Sequence, residues 1–466
     1  MTDATTFATQ FVTACAEMLR HATHQRRTAL RVLLLTVGLV LVTGRSMVSR
    51  ILVVMGMATR DWTAIYQVFA TPRIDIKVLR TQVIARWLRL YDPMDPVVVV
   101  VDGTQLPRTG RKMPGSGWGR SPRTPPWHPG IHHVQRWEGT SGLTPPTAEG
   151  DSRAIPLWFA PAPSPTSRPW ADHPPQPEWQ AAMEGVEIVR ATIDTVDGSD
   201  RPLVVTGDGA YSGAGVWNAL PPNTIWIARC AKNRALYHLP DPHEPRRRGR
   251  TRLYGDRGLT PQIQGQERCG WQACVIRVRG KDRHLRIRVT GPWVIKKAAG
   301  HPLMLITIAG IGRGRGSSRR SRDMMHFLVN ARQTATGWEL PYAVSYLALW
   351  VWQRWEVEVM HRELKSGWGL GDQQQWSARG AATVTQWVVW VYAVLILTGV
   401  SCPPSRRRSP RWYRQRRWTP RDLTMQLREE LVTAPPRQLT PHCAWFRSNP
   451  TENTALKVLL AVADAI

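Results

Sequence analysis

The chain has 466 residues and a mass of 52.7 kDa, which at roughly 100–200 residues per domain suggests about two to four units with real cores. Lys and Arg number 62 against 34 Asp and Glu, a formal charge of +28 and a pI near 11.0. With 42% hydrophobic residues and 23 tryptophans, this excludes a small stapled scaffold and a disordered polybasic tail. A folded protein that meets a polyanion remains.

A surplus of that size favours phosphate backbones, where each neutralised phosphate releases a counterion, so nucleic acid is the leading partner. An anionic membrane is the competitor. Its best candidate, Val32 to Val42, is shorter than the roughly 18–20 apolar residues a span requires, and reads as a buried helix. Residues 1–13 are polar and mixed, so secretion is not expected and a cytoplasmic, nucleoid-associated protein is. The six cysteines are scattered without a CxxC pair, which argues for reduced thiols over a zinc ribbon or disulfide framework.

Three short helical patterns run over Ala29–Val42, Ser46–Met57 and Thr59–Ala70, broken at Gly44. They suit either a helix-turn-helix DNA-binding module or an ordinary bundle. A fourth covers Asp75–Tyr91. Val97 to Val101, bounded by Pro96 and Asp102-Gly103, has the look of a strand buried on both faces. Strands are expected at Ile131–Trp137 and Ala154–Ala160 between long loops, then a helix over Pro177–Ile193. Pro202 to Gly209 repeats the earlier pattern, an apolar strand ending in Asp208-Gly209. A short helix near Ala214–Leu220 and a strand at Thr224–Arg229 follow.

From about 236 to 330 the character changes. Arg246 to Arg252 is a charge run. Val275–Arg279 and Leu285–Val289 then alternate apolar and basic around Gly280, predicting a β-hairpin with one wet face lined by Arg277, Arg279, Arg286 and Arg288. That face meets phosphate or is simply solvated. Leu303–Ile311 adds a strand and Arg313–Arg322 a second basic loop. Pro341–Leu370 is predicted as a long helix and Ala381–Thr398 as a core helix. In the tail, Arg406–Arg408 and Arg411–Trp418 interleave arginine with aromatics, a composition suited to distorted or single-stranded nucleic acid or to a solvated segment.

Asp102 and Asp208 both stand at the carboxyl ends of predicted strands, where open α/β sheets carry functional side chains. Asp-Gly after a strand is also ordinary turn chemistry. On the helix around Glu358, a rotation of about 100° per residue puts Arg354, Arg362 and Lys365 within roughly 40° of it, and Glu356 and Glu363 on the far side. This stripe is either a functional face or an ion-paired surface, since Arg354, Glu358 and Arg362 are spaced i,i+4. His128, His132 and His133 complete no familiar metal-ligand spacing, and Gly312–Gly316 lacks the end of a phosphate-binding loop.

The run Arg354, three residues, Glu358, six residues, Lys365 resembles the R–E–K part of the Y-(2)-R-(3)-E-(6)-K signature of the IS4-like DDE transposases. RWEVEVMHRELKSGWGLGDQQQW around it resembles the IS701-type branch. Asp102-Gly103-Thr104 with Arg108–Lys112, and Gly207-Asp208-Gly209-Ala210-Tyr211, resemble that branch's two acidic blocks. Val351 stands where the signature has tyrosine.

The resemblance implies an α/β fold: an RNase H-like core over 96–235 and 331–402, interrupted by a β-rich insertion over 236–330. A helical N-terminal DNA-binding region over 1–95 precedes it, and a basic tail over 403–466 follows. It implies Asp102, Asp208 and Glu358 as catalytic metal ligands, Asp102 bridging, for two Mg²⁺ or Mn²⁺ ions, hard cations that oxygen donors suit. Arg354 and Lys365, with Arg362, become phosphate contacts. The implied activity is cutting of element ends and their joining to target DNA, by a homodimer on double-stranded DNA and without a membrane. A divalent-metal nuclease that only cuts, and a non-catalytic DNA-binding relative, are the alternatives.

Overall fold

Five consecutive valines, Val97 to Val101, are each no more than 3% exposed, as a strand covered on both faces requires. They begin β1 (Val97–Pro107), which runs six residues further than the apolar pattern, so Asp102 lies within the strand. The computed structural model describes residues 6–121, 124–125, 127–241, 252–310, 324–405 and 417–433. The basic runs expected at 246–251, 313–322, 406–408 and 411–416 lie outside the described residues.

Five helices come before β1: α1 (Phe7–Ala22), α2 (Arg26–Leu41), α3 (Val48–Val54), α4 (Thr63–Ala70) and α5 (Ile76–Leu88). Asp75 caps α5 by accepting from the Val78 amide, and Gly44, at φ +80°, makes the expected break. The strands that follow are β2 (Ser116–Arg120), β3 (Ile131–Leu143) and β4 (Ala154–Pro161). Helix α6 (Glu178–Val196) leads to β5 (Leu203–Gly207), α7 (Ala214–Asn218) and β6 (Thr224–Cys230).

These strands lie in the order β3-β1-β5-β6, with β2 and β4 both pairing with β3; β2, β4 and β1 run antiparallel to β3, and β1, β5 and β6 are parallel. That large mixed sheet with flanking helices is consistent with an RNase H-like fold. After α8 (Pro261–Gln266) come β7 (Trp271–Val278), β8 (Lys281–Trp293), β9 (Leu303–Gly310) and β10 (Met325–Asn330). β10 pairs with β6, so the segment expected as an insertion extends the same sheet in the order β6-β10-β9-β8-β7. The β7–β8 turn falls at Arg279-Gly280, both at positive φ, the twist that two-residue hairpins favour.

A small ribbon, β11 (Arg332–Thr334) and β12 (Gly337–Glu339), precedes α9 (Val344–Gln353) and α10 (Trp355–Gly367). The single helix expected over Pro341–Leu370 is therefore broken at Arg354. The two halves have different partners, α9 lying on β7 and α10 on β1 and β4, which one straight helix cannot serve. Helix α11 (Ala378–Ser401) is long and apolar enough to cross a membrane, yet 94% of its apolar window is buried within the molecule. It packs on α1, α4, α5 and β4. Helix α12 (Pro420–Thr433), inside the expected tail, adds Leu423, Leu427 and Leu431 to this core.

The interface between the helical and sheet regions turns on Trp87, fully buried with its Nε1 donating to the Leu143 carbonyl at 2.6 Å. Trp87→Ala is expected to lower unfolding free energy by about 3–5 kcal/mol, and Trp87→Phe by less, as read from urea denaturation.

Candidate active site

Asp102 and Asp208 are set by one register. Val97 to Val100 of β1 pair in parallel with Leu203 to Thr206 of β5, and that register carried two residues further sets Asp208, immediately after the end of β5, level with Asp102. Alternation puts Val98, Val100 and Asp102, with Val204, Thr206 and Asp208, on one face. Asp208 also caps the turn after β5, accepting from the Ala210 amide at 2.8 Å. Gly207 pairs with Ala228 of β6, which puts exposed Arg229 level with Asp208 on the same face. Sequence reading passed over Arg229, although it ends a predicted strand just as the aspartates do.

Neither glycine after these strands is at positive φ, so turn chemistry does not account for Gly103. A β-carbon there would meet the Glu138 carboxylate at 3.0 Å and the Tyr211 hydroxyl at 3.6 Å. Behind Asp102, on the opposite face, Glu138 of β3 is fully buried and accepts from the Tyr211 hydroxyl at 2.7 Å. Burial holds its carboxyl well above the usual range, opposed by the Tyr211 hydrogen bond and reinforced by Asp102, Glu178 and Asp208. Nothing in local sequence marks Glu138, because its partner lies far along the chain.

Helix α10 covers the aspartate face. Lys365 Nζ donates to Thr104 Oγ1 at 2.6 Å, and His361 Nδ1 lies 3.5 Å from Asp102 Oδ2. His361 is buried and its Nε2 has no partner among the described residues. It was legible, since it falls roughly 60° from Glu358 on the same stripe. Glu358 lies one turn before His361, and its Oε1 accepts from Arg354 at 2.7 Å. Arg362 is exposed.

On the other side of α10, buried Glu356 receives Arg279 at 2.5 Å and Arg417 at 3.2 Å, and Glu363 accepts from Tyr392 at 2.9 Å. The four arginines expected on the wet face of the hairpin are engaged within the protein. Arg277 pairs with Glu149 and Asp282, Arg279 with Glu356, and Arg288 with Glu267, while Arg286 lies over Trp271.

A family model, the DDE superfamily endonuclease, matches residues 16–283. The chain belongs to the DDE superfamily endonucleases. The match takes in both aspartate strands and ends before α10. A search of curated proteins found no match. Endonucleases of this superfamily act on DNA and generally use divalent metals. Asp102 and Asp208 supply the hard oxygen donors such ions take. Among the described residues, no three His, Cys, Asp or Glu side chains lie close enough together to hold an ion, with Glu358 turned to Arg354. Among the described residues His128, His132 and His133 form no ligand group either; His132 and His133 lie on β3, and His132 is bonded to Gln105 at 2.7 Å.

Glu138 gives this endonuclease a pH dependence. The unfolded chain loses that proton near the ordinary carboxylate value while the native chain keeps it, so native stability falls as pH rises above that value. The Tm advantage of Glu138→Gln over the parent is expected to grow between about pH 5 and about pH 8, measured by thermal denaturation.

Proposed function

We propose that this chain is a DNA transposase of the IS4-like, IS701-type branch, which cuts its element's ends and joins them to target DNA. The observation that carries this reading is the parallel register of β1 with β5, which carried two residues past its last pair sets Asp102 level with Asp208, beside a helix that brings Lys365 to Thr104 and His361 to Asp102. Asp102, Asp208 and Glu358 would hold two Mg²⁺ or Mn²⁺ ions. Such ions activate a water or a 3′-hydroxyl and stabilise the leaving oxygen of an in-line displacement.

The protein's own side chains do the positioning. Lys365 presents a point charge and Arg354 a planar fork to the phosphates flanking the cut, roles that are not interchangeable. Arg362 and Arg229 extend that contact along the same end of the sheet. Arg277, Arg279, Arg286 and Arg288 would reach DNA only by exchanging their present partners for phosphate. His361 holds the Asp102 carboxylate from the side, and neutral Glu138 keeps a further negative charge away from the pair. The divisions at residues 95, 235, 330 and 402, a homodimer on two element ends, and a cytoplasmic, nucleoid-associated location belong to the same reading. A second reading, cutting without joining, is favoured by the family description itself, which names an endonuclease.

Asp102→Ala, Asp208→Ala and Glu358→Ala are each expected to abolish Mg²⁺-dependent cleavage of an end-labelled duplex. The loss should exceed the roughly 10–100-fold caused by removing a ligand's outer partner, while DNA binding persists. Retained cleavage in any of the three removes that residue from the site. Labelled ends recovered in a target plasmid establish joining, and cut ends that never join select the second reading.

A further inference from the structure

Within the helical region that precedes β1, and sharing no residue with the aspartate strands, a cavity of about 850 Å³ opens between α1, the start of α2 and α5. Its wall carries Arg20, His21, His24, Arg26, Arg86 and Arg89 against a single carboxylate, Glu17. Glu17 is paired with Arg86 at 2.6 Å. Arg20, His21, His24, Arg26 and Arg89 are exposed. The rest of the lining is small or polar, with Thr13, Ala16 and Ala29 among it.

The start of α2 is an independent sign of an anion. Its first turn contains no acidic residue and begins Arg26-Arg27, and its N-cap, Gln25, makes no side-chain cap hydrogen bond. Cations at a helix amino end oppose the helix dipole, and the positive end of that dipole itself favours a negative group. A phosphate in the cavity would satisfy both conditions. A membrane surface fits less well, because interfacial binding needs large apolar side chains beside the basic ones, and this wall offers none.

We propose that this cleft binds the phosphodiester backbone of DNA, independently of sequence, as a second contact remote from the cutting site. It deepens the preceding reading and rests on it for the choice of DNA as ligand. The helices expected to form a sequence-reading module are otherwise occupied. Val32, Leu35 and Leu39 of α2, and Ile65, Val68 and Phe69 of α4, are buried in the core, so those faces are closed to DNA while the cleft is open to it. Contacts to phosphate position a duplex and carry no sequence information.

The test uses the full chain in EDTA with a fluorescein-labelled duplex of arbitrary sequence, read by anisotropy across a salt series. Arg20→Ala/Arg89→Ala is expected to weaken binding roughly 10-fold and to reduce the slope of log K against log salt by about 2. Glu17→Gln, which removes the opposing charge, is expected to tighten binding several-fold, a change that damage to the fold would not produce. Unrelated duplex sequences should respond alike.

Unchanged affinity and slope in both variants overturns the proposal. So does weakening confined to one duplex sequence, or loss of binding to phosphatidylserine vesicles with DNA binding intact. Because no metal is present, failure of the parent to cleave DNA would sink the preceding reading and leave this result standing.

Discussion

The parallel register between β1 and β5 is the constraint on which the rest of the site depends. Alternation makes position along a strand and choice of face the same variable, so a slip of one residue would send either aspartate to the opposite side. Four consecutive pairs, Val97 with Leu203 through Val100 with Thr206, hold that register in a region from which water is excluded. The valines thus set where the aspartates stand although none carries a polar group. Gly103 and Gly207 serve the same end by making room behind the sheet for Tyr211 and Glu138.

Helix α11 supplies the second support. A 24-residue apolar helix inside a folded chain must be covered on every side, and here the N-terminal helices, β4 and α12 cover it. One continuous core therefore joins the helical region to the sheet that carries the aspartates. Rigid placement of the basic cleft relative to the aspartates follows from that shared packing, and Trp87, wedged against Leu143, lies on the seam.

What the sequence made legible was local. The valine run, the second strand ending at Asp208, the hairpin and the core helix all announce themselves through short-range pattern, and the helix period already separated Glu358 and Lys365 from Glu356 and Glu363. The break at Arg354 was not legible, because it arises from two halves finding different sheets to lie on. Nor was the burial of Glu138, whose partner hydroxyl belongs to a residue 73 positions away. Strand β2 and helix α12 were hidden by composition, the one rich in glycine and the other flanked by arginines. The hairpin arginines looked available to phosphate because their acidic partners, Glu149, Glu267 and Glu356, come from other segments.

Glu356 ties these segments into one piece of machinery. Its carboxylate is the meeting point of Arg279, 77 residues before it at the hairpin tip, and Arg417, 61 residues after it. Both tethers end two residues from Glu358, on the helix that carries it. The pose of that helix is consequently geared to the two remote ends of the fold, so a pull on either the hairpin or the C-terminal segment is delivered as torque beside the aspartates.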